Sequence, residues 1–319
     1  MSKPLDIKDF LAKSLELPVI DVRTPAEYAQ GHIPRAVNLP LFTNEERALV
    51  GTLYVQQGRR DAVLKGLELV GPRLEAMARA GLDLSDRELL VHCWRGGMRS
   101  GAVAWLLEQT GIRCFTLEKG YQAYRSLVLD FFNHIPHRII ILGGLTGSGK
   151  TERLLQMRAA GEQVIDLEGL ANHKGSAFGW LGMPPQPSTE HFENMLFHEF
   201  SQLDPLRPVW LEDESRNVGK CSIPSGLWKR MEQAEFHVLE TPTEIRIERL
   251  MQEYACFPPS LLCESVLRIE KRLGYDKCYQ ALDACQNGDI RKALGICLAY
   301  YDKSYTFQIE TRLKSNKQQ

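Results

Sequence analysis

Cys93 stands in Val91-His92-Cys93-Trp94-Arg95-Gly96-Gly97-Met98-Arg99-Ser100, a run that sets one thiol among two arginines and two glycines. Leu89 to His92 reads as the end of a short buried strand and Ala102 to Gln109 as a helix, which places Cys93 in a tight strand-to-helix loop. In such a loop backbone N–H groups converge on the helix N-terminus. The positive end of its dipole, with Arg95 and Arg99, favours thiolate over thiol. Arg95, Gly96, Gly97 and Arg99 would then cradle a tetrahedral anion beside the sulfur. A buried structural cysteine is the plain alternative, and it leaves the glycines and arginines around the thiol unexplained.

The second stretch with chemistry in it is Gly144-Leu145-Thr146-Gly147-Ser148-Gly149-Lys150-Thr151, a complete G-x4-G-K-[ST]. It follows the apolar strand Arg138 to Leu142 and precedes a helix from Thr151 to about Ala160, the context that phosphate cradling requires. Gly144, Thr146, Gly147, Ser148 and Gly149 would wrap an oligophosphate, Lys150 would neutralise charge toward its end, and Thr151 could reach a magnesium ion. The phosphate need not belong to a nucleotide. Pro208 to Leu211 reads as a neighbouring strand ending in Glu212-Asp213-Glu214-Ser215-Arg216, which makes Asp213, then Glu212, the expected acid for Mg. A solvated strand end is the ordinary alternative for such a cluster.

The elements that must position these residues alternate. Pro18 to Val22 is a strand; Thr24-Pro25-Ala26-Glu27 carries an N-cap, a first-turn proline and an acid; Ala36 to Leu39 is the next strand. Residues 44 to 80 form a mostly helical insertion that includes Gly51 to Arg60, with a basic tip expected to be a solvated turn. Cys114 to Leu117 is another strand, followed by a helix from Tyr121 to Phe132. Asn133 to Pro136 reads as a linker, so the domains are expected at 1–134 and 135–319. Val164 to Leu167 reads as a strand and Ala171 to Gly179 as a polar loop. His191 and His198 lie two turns apart on a helix that starts near Ser188, too far to share one metal alone. Helices are expected at 242–253, 260–273 and 289–300. Arg246, Arg249, Arg268, Lys271, Arg272 and Lys277 form either a phosphate-tracking face or a solvated one. Tyr300, Tyr301 and Tyr305 read as packing residues, and Lys314 to Gln319 as a disordered end. The alternation argues for an α/β layer architecture.

With 39 Lys and Arg against 40 Asp and Glu, the net charge of −1 requires any nucleic-acid contact to come from a local patch. No apolar run approaches a membrane span and the N-terminus lacks a signal core, so the expected location is cytoplasmic. Eight cysteines without a CxxC pair indicate neither a zinc site nor a disulfide framework.

Asp21-Val22-Arg23 with Glu27-Tyr28, Gly31-His32-Ile33-Pro34, Ala36, Asn38 and then the Cys93 loop resembles the rhodanese family over residues 15 to 130. The resemblance implies a three-layer rhodanese-like domain whose loop cysteine, here Cys93, carries sulfur as a persulfide. Simple sulfurtransferases of that family read C-x4-R, whereas Trp94 to Met98 here make five intervening residues before Arg99. That wider spacing also resembles cysteine phosphatases. The alternative reading is therefore a phosphatase of rhodanese fold fused to a nucleotide-binding module. A P-loop NTPase-like parallel-sheet domain with a helical C-terminal part would follow in the same chain.

That combination, with Gly51 to Tyr54, Gln56 to Gly58, Cys93 to Ser100, Gly144 to Thr151, Asn172 to Gly179 and Glu212 to Arg216, resembles the tRNA 2-selenouridine synthase family over nearly the whole chain. The resemblance implies a transferase that replaces sulfur by selenium in wobble 2-thiouridine of tRNA, through an S-geranyl intermediate. Its co-substrates would be geranyl diphosphate and selenophosphate, the latter from an upstream selenophosphate-producing enzyme. Selenophosphate, a tetrahedral anion, suits the Cys93 loop; the diphosphate suits the P-loop with Lys150, Thr151, possible Mg and Asp213. Membrane partners are not implied.

Overall fold

The computed structural model describes residues 2–316, and the chain divides into two units, Met1–Phe131 and Phe132–Gln319. In the first, β1 (Lys3–Leu5), α1 (Ile7–Lys13), β2 (Val19–Asp21), α2 (Pro25–Gln30) and β3 (Val37–Asn38) precede three helices, α3 (Asn44–Gln56), α4 (Arg59–Val70) and α5 (Leu74–Leu84). Then come β4 (Glu88–His92), α6 (Met98–Glu108), β5 (Arg113–Leu117) and α7, which starts at Gly120 and ends at Asn133. The sheet order is β1-β5-β4-β2-β3 and every pairing is parallel. Strands in such a sheet are covered on both faces, and Leu89, Leu90 and Val91 of the central β4 are fully buried. The turn into α2 is a complete capping box: Thr24 accepts from the Glu27 N–H while the Glu27 carboxylate accepts from the Thr24 N–H. The insertion is helical as expected and runs to Leu84; it breaks at Gly58, whose φ of 96° ends α3 and starts α4.

Beneath the Cys93 loop lies a fully buried charge pair. Arg23 reaches both carboxylate oxygens of Asp21 at 2.6 to 3.0 Å and the Gly31 carbonyl at 2.6 Å, with its guanidinium 3.7 Å from the Tyr121 ring centroid. His92, one residue before the thiol, is fully buried, with Nε2 3.7 Å from Asp21. Burial holds its imidazole below the ordinary histidine value, against the pull of Asp21, so it packs as a neutral ring.

The second unit is built on β6 (Ile139–Gly143), α8 (Lys150–Ala159), β7 (Gln163–Ile165), α9 (Leu167–Ala171), α10 (Thr189–Ser201) and β8 (Val209–Glu212). A small antiparallel pair, β9 (Asn217–Val218) and β10 (Cys221–Ser222), leads to α11 (Ser225–Glu232) and β11 (Glu235–Val238). The parallel order β11-β6-β8-β7 puts the P-loop strand in the interior of the sheet. Strand β7 stops short of the expected Leu167 because Asp166 turns to cap α9, its carboxylate accepting from the Gly169 N–H at 2.7 Å.

Five helices complete the unit: α12 (Thr243–Tyr254), α13 (Pro259–Leu267), α14 (Glu270–Leu273), α15 (Tyr275–Gln286) and α16 (Ile290–Asn316). They share a core that includes Leu250, Val266, Ala281 and Leu294. The helix expected over 260–273 is two, separated between Leu267 and Glu270, and α15 occupies residues for which no helix was expected. Lys314 to Asn316, expected to be disordered, continue α16, whose late residues Glu310, Arg312, Leu313 and Lys314 are good helix formers. Lys317 to Gln319 lie outside the described residues. No helix among the described residues is long and apolar enough to cross a membrane.

Candidate functional site

Cys93 leaves the carboxyl end of β4 and is 3% exposed. Its Sγ lies 3.2 Å from the Ser100 hydroxyl and accepts from the Gly97 N–H at 3.4 Å. Burial pushes the thiol up, but the Ser100 hydroxyl and the backbone N–H groups of Ser100, Gly97 and Arg95 outweigh it and hold Cys93 below the ordinary value. Burial without such donors does the opposite elsewhere: the thiols of Cys114 and Cys297 are pushed up to about 12. The Ser100 hydroxyl also lies 3.2 Å from the Gly97 carbonyl. Having one proton, it can serve that carbonyl beside a thiol and must turn to sulfur beside a thiolate.

The donors that favour the thiolate are thus neutral groups at the start of α6 rather than the two arginine side chains expected to do so. Arg95 is exposed and contributes its N–H. Arg99 is bidentate on Glu27, at 2.6 and 3.2 Å, and so ties the cysteine loop to the capping box of α2. Burial raises the Glu27 carboxyl, but Arg99 and the Thr24 N–H overcome this and hold it below its ordinary value. Gly96 and Gly97 lie exposed at the loop surface, where an anion can reach their backbone. Ser100 and Glu27 were not expected as site residues. The Thr24-to-Glu27 spacing announces a cap but not its ion pair.

The loop is held from behind by α7, whose first N–H groups donate to the carbonyls of Cys93 (from Tyr121, 2.8 Å) and Trp94 (from Gln122, 3.1 Å). This close approach requires glycine at position 120. Its φ is 58°, and a Cβ there would sit 2.2 Å from the Cys93 carbonyl oxygen and 2.5 Å from the Gly96 nitrogen. Gly120→Ala is therefore expected to cost about 1–3 kcal/mol from the strained φ alone, with more from the backbone clash. Urea denaturation measures that loss. A slower iodoacetamide reaction at Cys93 would show that the loop itself has moved.

In the second unit the P-loop wraps the start of α8. Lys150 Nζ donates to the Gly144 carbonyl at 3.0 Å, and the Thr151 hydroxyl donates to Glu168 at 3.1 Å. Two arginines of α12 brace its backbone. Arg249 donates to the Ser148 carbonyl at 2.5 Å and Arg246 to the Thr146 carbonyl at 3.1 Å. Arg246 is 1% exposed and bidentate on Asp302, at 2.6 and 2.7 Å. It therefore cannot belong to a phosphate-tracking surface, since its charge faces the interior. The Ser148 hydroxyl is buried with no partner among the described residues.

Residues 146–151 open on a cavity of about 430 Å³ that also takes in Glu168, Lys174, Glu214, Arg249 and Tyr305. Asp213, expected as the magnesium acid, does not line it. The Asp213 N–H continues the β6–β8 ladder by donating to Leu142 at 3.0 Å, while the next residue, Glu214, lines the cavity. Burial raises the Glu168 carboxyl, against the pull of Lys150, and burial with Glu168 raises Glu214 well above the ordinary range. Glu212 is fully buried and accepts from the Glu168 N–H at 2.7 Å. The loop from Asn172 to Gly179 contributes Lys174, Gly175 and Ser176 to the same wall. Its Ala177 N–H donates to the Tyr301 hydroxyl at 2.9 Å, so Tyr301 does more than pack.

Both anion cradles thus sit at the carboxyl ends of parallel strands, the position where α/β sheets bind ligands. Residues 4–127 match the model of the rhodanese-like domain. Residues 137–318, more than half of the chain, match that of the tRNA 2-selenouridine synthase AAA domain. The chain belongs to the tRNA 2-selenouridine synthase family. A tRNA 2-selenouridine synthase is an enzyme that acts on tRNA, and selenium modification of tRNA is what this family does. Solved structures are similar to parts of the chain. The N-terminal domain of a protein named as ATP/GTP binding, from Clostridium difficile 630, is 39% identical, with 40% of this chain and 99% of that chain covered at a TM-score of 0.37. A rhodanese-related protein of Thermoplasma volcanium is 20% identical (39% and 92% covered, TM-score 0.26). A yeast protein tyrosine phosphatase of the rhodanese family is 17% identical (40% and 88% covered, TM-score 0.26).

Proposed function

We propose that this enzyme replaces sulfur by selenium in wobble 2-thiouridine of tRNA by two displacements, with geranyl diphosphate and selenophosphate as co-substrates. In the first, the thiouridine sulfur attacks the geranyl carbon that bears the diphosphate; a C–S bond forms, the C–O bond breaks and diphosphate departs. In the second, hydrogen selenide released from selenophosphate by water adds to C2 of the base, the C2–S bond breaks, and geranyl thiolate leaves and takes up a proton. Neither step needs an oxidant. Alkylation turns a poor leaving group into a thiolate that departs readily, which gives the order of the steps its chemical sense.

The observation that carries the reading is the pairing, in one chain of this family, of a thiol stabilised toward thiolate with a P-loop whose lysine and threonine stand at the start of α8 beside a cavity. Lys150 and the backbone from Thr146 to Gly149 would hold the diphosphate; Cys93, with Gly96 and Gly97 and with Arg95 at the rim, would act where selenium is delivered. Thr151, Glu168 and Glu214 make an all-oxygen donor set, and their crowded carboxyls fit a hard cation such as Mg²⁺. Such an ion, when bound, would neutralise the departing diphosphate. A phosphatase reading needs Arg99 on the phosphate, whereas Glu27 holds that guanidinium.

The direct test is mass spectrometry of nucleosides from 2-thiouridine tRNA incubated with the protein and each donor, alone and together. S-geranyl-2-thiouridine with geranyl diphosphate alone, and 2-selenouridine with both donors, are the expected products. An unchanged nucleoside in every arm, with the protein folded, would reject the reading. Release of phosphate from an aryl phosphate, lost in Cys93→Ser, would put the phosphatase in its place.

A further inference from the structure

Among α3, α4 and the first turns of α6 lies a cavity of about 1330 Å³, larger than the P-loop cavity and walled largely by hydrocarbon. Three helices wall it. Each places a glycine on the wall, Gly51 of α3, Gly66 of α4 and Gly101 of α6, although glycine weakens a helix interior. A Cβ added at Gly101 would meet no atom within 4 Å. Around the same space Val55, Leu67, Trp105 and Met98 stay 83%, 65%, 58% and 53% exposed. An apolar surface of this kind marks a site that something covers.

What covers it is indicated by the shared wall. Arg95, Met98 and Arg99 belong both to the cavity and to the Cys93 loop, so an apolar group inside would lie beside whatever the thiol acts on. Ligand pockets run to about 300–1,000 Å³ for whole drug-sized molecules, so the space accommodates a branched ten-carbon chain. Arg47 and Arg95 at its edges suit the phosphates of an RNA strand carrying that chain. We infer that this cavity receives the isoprenoid chain carried on the sulfur of the wobble base while Cys93 acts on that base. The inference rests on the proposed geranyl chemistry and adds to it a place for the leaving group, in the first unit rather than at the P-loop.

The test uses the full chain and an anticodon stem-loop RNA bearing S-geranyl-2-thiouridine or, as control, S-methyl-2-thiouridine. Equilibrium binding is expected to favour the geranyl RNA by at least about tenfold, since each buried methylene adds to affinity. Gly101→Leu, at an exposed helix position facing open space, should bring the two affinities within about twofold of each other, a loss of the buried methylenes' contribution. It should leave the S-methyl affinity and the melting temperature unchanged. Leu67→Glu, on the opposite wall and also exposed, should do the same by placing a charge there.

Transfer from geranyl diphosphate to 2-thiouridine RNA should proceed at the wild-type rate in both variants, which separates the chain on RNA from the chain on diphosphate. The inference is overturned if the wild type carries out both chemical steps yet binds the two RNAs equally, or if the preference survives both variants. It is overturned as well if the variants slow geranylation and leave the preference intact. A wild type that performs neither step would instead overturn the reading on which it rests.

Discussion

Lys150→Ala is expected to abolish geranylation of 2-thiouridine RNA while leaving selenation of RNA that already carries the S-geranyl group. Lys150 supplies the positive side chain of the phosphate loop and is anchored at 3.0 Å from the Gly144 carbonyl. The charge that develops on a departing diphosphate falls within its reach. Loss of one such electrostatic partner costs about 10²–10³ in rate, and single-turnover transfer from geranyl diphosphate measures it. The side chain is only half-buried, so the substitution leaves no cavity and the melting temperature should hold. Equal loss of both steps would mean that the P-loop serves selenium delivery too, and no loss of either would remove it from the chemistry.

The converse is expected at the other cradle. Cys93→Ala should leave geranylation at the wild-type rate and slow selenation of S-geranyl RNA by about a hundredfold or more, the scale of losing a positioned catalytic group. Its state is open to titration. The thiolate exists above the thiol's lowered pKa and is lost as pH falls through it, so alkylation of Cys93 should persist to lower pH than that of an ordinary thiol. Ser100→Ala removes one donor to the sulfur. A hydrogen bond to a charged group contributes about 1.5–3 kcal/mol, so the midpoint of the alkylation profile should move up by about one pH unit or more. An unmoved midpoint would show that the α6 backbone alone sets the thiolate, and wild-type selenation by Cys93→Ala would exclude the thiol from the second step.

Much of this protein is legible in the chain because its chemistry is local. The phosphate loop from Gly144 to Thr151 works through backbone and side chains that are neighbours in sequence, between a strand and a helix whose apolar patterns are themselves short-range signals. The same holds for Cys93 at the turn between β4 and α6, for the Thr24–Glu27 cap of α2, and for the alternation that places both in parallel sheets. What the chain alone did not disclose are groups brought together from far apart. Arg99 meets Glu27 across 72 residues, which turns an expected anion ligand into a brace for the loop. Arg246 looked like a surface cation on an amphipathic helix, and only the packing of α12 against α16 buries it on Asp302. Asp213 and Glu214 are adjacent in sequence, yet of the two it is Glu214 that lines the phosphate-loop cavity. That Gly51, Gly66 and Gly101, on three different helices, share the wall of one apolar space is likewise decided only by how those helices pack. Spacing encodes contacts within a turn or a loop, because a few residues of chain allow few arrangements; contacts between elements depend on how whole faces pack, which no short stretch of chain determines.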